Sequence, residues 1–383
     1  MSVLAEKSEH FQLQSLRQFY NEKDVVVDKD GPENIYQNLM ELLEKGDFIA
    51  ILPNEKDVEL LLNSFFSLII TVEDQEALSL VKKFCELVTN PKFQGHGWQS
   101  NAGVVVRVLS SLFHLHEDSD PNLQFLEYKY LLAMCGRAHL TSFIDSSVGN
   151  IENYVTKWKL NTEDKREILR LLHVALLQDS RPDVAAEIMT ALLQTYTDAD
   201  ADRAKEDARE CVRTAVIDKS AFIFDHLLQL SAVKRLEKTD PLIHEILKIF
   251  VHGRLSDYRA FITKNPTFVK EQLMVDESVL EKKIKMLTLI SMTENNQIIP
   301  FESLKTALDI TDDEHLEKFL IDAIRMKAIK GKINGINQQL IVSSFQYRIF
   351  DRPQWEMLQH KLVGLLGSLK SVHNHMKNSG TEV

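Results

Sequence analysis

From about residue 33 to residue 275, apolar side chains recur every three to four positions, with only short polar interruptions. That is the period of an α-helix packed by one face, so most of the chain is committed to amphipathic helices. The stretch NTEDKREILRLLHVALLQ, residues 161–178, is representative: Ile168, Leu171, Leu172, Ala175 and Leu176 fall on one stripe. Asn161 or Thr162 can cap it, and Glu163 and Asp164 sit favourably at the positive end of the helix dipole. Asp179, Ser180 and Pro182 mark a break, after which a second helix runs through DVAAEIMTALLQTY. Further helix-length segments fall at roughly 199–217, 220–230, 240–252 and 254–263. Short connections between such helices make antiparallel hairpins that stack side by side. No stretch repeats at a fixed period, so an irregular helical bundle fits the same pattern.

Composition supports long helices and narrows the setting. With 13 Gly and 9 Pro in 383 residues there is little material for turns, and the length calls for more than one core. A formal net charge of −11 argues against independent DNA binding, which needs clustered Lys and Arg, although it leaves room for local basic patches. Cys85, Cys135 and Cys211 are far apart, which suggests neither a disulfide framework nor a zinc site and fits a reducing compartment. The N-terminal stretch has no apolar core of a secretion signal, and the longest apolar run, 60–72, is too short to span a membrane. A cytoplasmic protein with no membrane contact is expected.

The pattern changes after residue 280. A helix through Ile284, Leu287 and Ile290 precedes the β-prone QIIPF, a short helix ESLKTALDI with Pro300 where a side-chain cap would be usual, and TDDEHLEKFLIDAIRMK. Thr311 and Glu314 have capping-box spacing, and Leu316, Phe319, Leu320, Ala323 and Ile324 form a stripe. Next comes AIKGKINGINQQLIVSS, residues 328–344, in which two alternating runs flank Asn334-Gly335, a strong hairpin signal. A two-residue turn there sets Ile333 opposite Ile336 and Ile329 opposite Leu340, with Val342 continuing the face; a four-residue loop would shift that register. Helix, short strand, helix, helix, hairpin is the element order of a winged helix. In the last segment Trp355, Leu358, Leu362, Leu365, Leu369, Val372 and Met376 alternate three and four apart, a heptad seam. The seam suits either a helix folded back on its own domain or, as favoured here, a multi-helix bundle with other chains. Gly364 and Gly367 weaken the isolated helix.

No nucleophile elbow, phosphate-binding loop or dinucleotide fingerprint occurs, and no catalytic, cofactor or metal residue is assigned. His114, His116, Glu117 and Asp118 imitate a metal cluster, but i and i+2 diverge on a helix, and Gln124 and Glu127 replace the Ser and Asp that would complete a metal-isopeptidase signature. HNHMK near the C-terminus and QGHGWQ at 94–99 have ordinary explanations as a tail and a loop, and the charge run at 198–210 reads as a solvated face. Five acids against three bases across 312–327 make a poor DNA-reading helix. Lys327, Lys330 and Lys332 are candidate RNA contacts in a larger particle.

Helical hairpins running into IDAIRMKAIKGKINGINQQLIVS resemble the PCI domain shared by the proteasome lid, the cullin-deneddylating signalosome and eukaryotic translation initiation factor 3. The further stretches NYVTKWKLNTEDKREILRLLHVAL, AFIFDHLLQLSAVKRLE and LIHEILKIFVHGRLSDYRAF look closest to the members in initiation factor 3. The resemblance implies a mainly α protein: an N-terminal helical region (1–155), stacked helical hairpins in a right-handed superhelix-like array (156–280), a winged helix (281–350) and a C-terminal bundle helix with tail (353–383). It also implies a non-catalytic scaffold subunit in a hetero-oligomer. Its partners would be other PCI-type subunits of initiation factor 3 and, through the complex, the small ribosomal subunit; membership of the signalosome is the alternative. Ile329, Ile333, Leu340 and Val342 are the candidates for the winged-helix interface, and Trp355, Leu358, Leu362, Leu365, Leu369 and Val372 for the bundle.

Overall fold

The computed structural model describes residues 9–28, 31–32, 34–72, 74–93, 95–116, 120–219, 221–294 and 296–379. Most of these lie in helices, with one small sheet near the C-terminus. The chain divides into two compact units, Met1–Thr195 and Tyr196–Val383.

The first unit holds α1 (Glu9–Glu22), α2 (Ile35–Glu44), α3 (Glu55–Ile69), α4 (Asp74–Val88), α5 (Asn101–Leu115), α6 (Pro121–Ala138), α7 (Val148–Lys157), α8 (Thr162–Gln178) and α9 (Pro182–Gln194). Alternate helices stack: α1 on α3 on α5 in one row, and α2 on α4 on α6 on α8 in the other, with α5 packed against α6 and α8 against α9. This is the two-layer solution that short connections impose on one-faced helices. Asn161 is the cap of α8, its side chain accepting from the Asp164 amide at 2.8 Å. The buried stripe of α8 is Ile168, Leu169, Leu172, Ala175 and Leu176; Leu171 is only half-buried, so the packed face is rotated slightly from the expected one. Gly136 lets α6 approach α8, because a Cβ there would stand 2.7 Å from the Ala175 Cα. Arg17 is buried in this unit and donates through Nε to Asn38 Oδ1 at 2.7 Å and through its guanidinium to the Glu41 carboxylate at 2.7 Å.

The second unit begins with α10 (Lys205–Ile217), α11 (Ser231–Thr239), α12 (Pro241–His252), α13 (Leu255–Lys264) and α14 (Glu277–Thr293). The expected helix over 220–230 does not form. Residues 221–224 form no regular element, Asp225–Gln229 makes a short 3₁₀ turn, and α11 follows. Phe222 and Phe224 are buried while Ile223 between them is exposed, a pattern that one face of a helix does not give. Lys283 of α14 is buried and donates to the Ala215 and Asp218 carbonyls at 2.6 and 2.5 Å, closing the C-terminal end of α10. Burial pulls its pKa down to about 7, opposed by Asp218.

The winged-helix order then appears as expected: β1 (Ile298–Pro300), α15 (Phe301–Leu308), α16 (Asp313–Arg325), β2 (Ile329–Asn334), β3 (Gln339–Phe345) and finally α17 (Arg352–Ser379). The sheet is antiparallel with order β1-β3-β2, so β3 is central and β2 lies at an edge. Two local expectations are corrected. The hairpin closes through a four-residue loop, pairing Ile333 with Leu340, Asn334 with Gln339 and Ile329 with Phe345. The reason is local: the Asn334 side chain accepts from the Asn337 amide at 3.2 Å, and the left-handed residue of the loop is Gln338, not Gly335. Gly331 lies at a bulge beside Lys330, where a Cβ would meet the Ile341 carbonyl oxygen at 2.5 Å. The cap of α16 is Asp312, whose carboxylate accepts from the His315 amide at 3.3 Å, and not Thr311. At α15, where Pro300 offers no side-chain cap, the Phe301 amide donates instead to the Gln338 carbonyl of the wing loop at 2.9 Å.

Candidate partner interface

The segment between β3 and α17 determines where the last helix starts. Its anchor is Arg348, an almost fully buried side chain in an otherwise apolar YRIF stretch. The Arg348 guanidinium donates to the Phe250 carbonyl at 2.7 Å, the Ile249 carbonyl at 3.0 Å and Ser291 Oγ at 3.2 Å. Those carbonyls belong to the last turn of α12, where intrahelical partners run out and the helix dipole favours a cation. Burial lowers the Arg348 pKa to about 10, with Glu294 acting against the shift, so the group remains a cation at neutral pH. The Arg348 amide donates to Glu294 at 3.1 Å and the Phe350 amide to Asp225 at 3.0 Å. An aromatic chain continues outward: Phe345 to Tyr347 to Phe350 to Trp355, each pair edge-on with ring centroids 4.9–5.8 Å apart.

Beyond this anchor α17 is a single helix of 28 residues, about 42 Å long. The described side chains from Glu356 to His375 are all exposed. The structure therefore does not fold this helix back on its own unit. Trp355, Leu358, Leu362, Leu365, Leu369 and Val372 lie along one seam, and Met357, Val363 and Leu366 add exposed apolar surface beside it. The strict three-four spacing passes over those three positions, although their apolar character is legible in the sequence. A band wider than a two-residue seam suits packing against more than one helix. At Gly364 and Gly367 a Cβ would meet nothing, so no contact within the chain requires glycine there. The Met376 side chain lies outside the described residues.

In the wing, Ile329, Leu340 and Val342 are buried and Ile333 is half-buried. Ile329, Leu340 and Val342 face the core of the module, and Ile333 is partly open to solvent. The residues that face outward are Ile298 and Ile341, paired across β1 and β3, with Lys332 beside Ile341 on β2. Lys327, Lys330 and Lys332 are all exposed, and Lys327 adopts a left-handed backbone at the end of α16. The acids of α16 are partly matched from neighbouring helices: Lys282 meets Asp322 at 2.6 Å and Lys305 meets Asp313 at 2.8 Å.

His116 Nδ1 lies 2.6 Å from Glu127 Oε1, and Glu127 is fully buried. Burial raises the Glu127 pKa and the His116 contact opposes that shift. Glu117 and Asp118 lie outside the described residues, and among the described residues no group of three His, Cys, Asp or Glu side chains is placed to hold a metal. Among those residues, too, no helix is long and apolar enough to cross a membrane.

With this geometry in place, comparison with known proteins is informative. The family model described as PCI domain matches residues 257–344, from α13 through almost all of β3. Eukaryotic translation initiation factor 3 subunit M of Mus musculus is 31% identical over 370 residues, 96% of each chain. The proteins of the same name from Homo sapiens and Xenopus tropicalis are 30% and 32% identical, the latter over 99% of this chain and 98% of its own length.

Proposed function

The chain belongs to the family of eukaryotic translation initiation factor 3 subunit M, and from that premise we propose that it is a non-catalytic scaffold subunit of initiation factor 3. In this reading it acts in the cytoplasm within a hetero-oligomer of PCI-type subunits, and supports binding of the complex to the small ribosomal subunit during initiation. The observation that carries the reading is α17: a 28-residue helix with a broad apolar band that its own chain leaves uncovered. Exposed apolar area on this scale marks an interaction surface. Trp355, Leu358, Leu362, Leu365, Leu369 and Val372 are the residues of that bundle contact. Ile329, Ile333, Leu340 and Val342 serve the winged-helix contact indirectly, by fixing the sheet whose outward residues Ile298 and Ile341 meet a neighbouring subunit. The β1 edge of the small sheet offers main-chain groups to the same neighbour.

The test is affinity capture of the full chain beside a version ending at Asp351, with co-purifying chains identified by mass spectrometry. Full-length protein should bring down other initiation factor 3 subunits together with small-subunit ribosomal proteins, and the shortened chain should lose them. Recovery of cullins and signalosome subunits in their place would refute the assignment to initiation factor 3. Recovery of no partner by either version would refute the scaffold role altogether.

A further inference from the structure

Positive charge is segregated in this acidic protein. Between Asp322 and Asp351 there is no Asp or Glu, yet the same stretch carries Arg325, Lys327, Lys330, Lys332 and Arg348. Arg348 is buried on the α12 carbonyls, which leaves four cations around the wing. Lys327, Lys330 and Lys332 are exposed, and none forms an ion pair among the described residues. Lysines on the neighbouring helices behave differently: Lys282, Lys285 and Lys305 each hold a carboxylate at 2.6–3.3 Å. The wing loop is also chemically distinct. It is pinned by the Asn334–Asn337 and Phe301–Gln338 hydrogen bonds, and it presents exposed Asn337 and Gln338 with Ile336 at 96% exposure.

We infer that the β2 edge and wing loop form a contact surface for the sugar–phosphate backbone of RNA. Unpaired lysines supply the phosphate contacts, and the amide side chains can both donate to and accept from a 2′-hydroxyl, which an acidic peptide lacks. Duplex DNA is disfavoured because Asp312, Asp313 and Glu314 at the start of α16 repel the groove into which that helix would have to dock, whereas Glu317 reaches the wing loop at Gly335 and confines the phosphate contacts to the lysines of β2 and Lys327. The surface borders the Ile298–Ile341 patch at Lys332, and RNA binding by the chain alone is read apart from any subunit contact. Lysines on an edge strand can also serve only to prevent edge-to-edge pairing, and the experiment separates the two roles.

The experiment uses the full chain and a labelled oligouridine RNA of about 20 nucleotides. Fluorescence anisotropy is read at about 50 and 200 mM salt, the range over which such contacts lose affinity. The variant is Lys327→Gln, Lys330→Gln and Lys332→Gln together; the control is Lys234→Gln, Lys264→Gln and Lys270→Gln, which removes the same charge from exposed positions elsewhere in the unit. Three single-strand phosphate contacts account for a salt slope of about 2 and hence about a 20-fold affinity change across that range. The wing variant should lose that dependence while the control keeps it. No binding by the unmodified chain up to about 100 µM, the weak end of non-specific affinities, would overturn the inference. An unchanged salt slope in the wing variant would also overturn it, in favour of edge protection. Equal competition by polyglutamate would overturn it in favour of an acidic protein partner.

Discussion

Replacing Leu362 and Leu369 of α17 by alanine should affect binding and leave folding alone. The two side chains are 55% and 58% exposed in the chain by itself, so that fraction of each is still available for burial by a partner. Full burial of a leucine is worth about 1.5–3 kcal/mol, so the remaining fractions amount to about 0.8–1.7 kcal/mol each and about 1.7–3.4 kcal/mol together. At 1.4 kcal/mol per tenfold, this predicts a Kd weakened about 15- to 250-fold. Alanine is the better helix former, so the helix itself is not weakened and urea unfolding of the isolated chain should shift by less than about 0.5 kcal/mol. The assay is co-purification with the initiation factor 3 subunits at several concentrations, beside urea unfolding of each variant alone. Equal partner affinity in the double variant would refute the bundle contact. A loss of more than about 1 kcal/mol in the isolated chain would show that the seam packs on its own unit, the arrangement in which a buried leucine costs about 2–5 kcal/mol to truncate.

Further outcomes follow from buried groups. Arg348→Met leaves the Ile249 and Phe250 carbonyls and Ser291 without their charged donor, and should destabilise the second unit by about 3–5 kcal/mol; hydrogen exchange of 241–252 and 284–294 should rise, with Arg348→Lys intermediate. Lys283 has a folded pKa depressed to about 7, so between about pH 7 and 10 the unfolded chain holds a proton that the folded chain releases. Stability of the second unit should therefore rise with pH across that window, and Lys283→Met should flatten the rise in unfolding curves measured at stepped pH. Gly136→Ala places a methyl against the α8 backbone and should cost the first unit about 1–3 kcal/mol, read as a lowered melting temperature; an unchanged melt would show that the α6–α8 approach is slack.

The heptad seam, the winged-helix order and the α8 cap were legible because each depends on neighbours within one turn or one hairpin. Failures were of two kinds. The Asn-Gly pair signals a tight turn, but the Asn334 side chain bonds onward to Asn337 and the chain closes through a longer loop, while a bulge between Lys330 and Gly331 shifts the pairing by one residue more. The segment at 220–230 has helix length, yet the structure buries Phe222 and Phe224 on either side of exposed Ile223 and forms only a short 3₁₀ turn there. Arg348 gave no signal at all: its partners lie about a hundred residues away on α12, and an arginine between apolar residues reads as surface.

The amino-acid sequence by itself determined which faces of the helices are apolar and in what order helix and strand follow one another, since periodicity and capping act over a few residues. Only the tertiary structure decided which apolar faces the chain covers for itself. It closed Ile329, Leu340 and Val342 into the wing and left Leu362, Leu365 and Leu369 open. The physical reason is that burial is non-directional. An apolar stripe specifies that something must cover it, and whether the cover comes from the same chain depends on where anchors such as Arg348 send the helix.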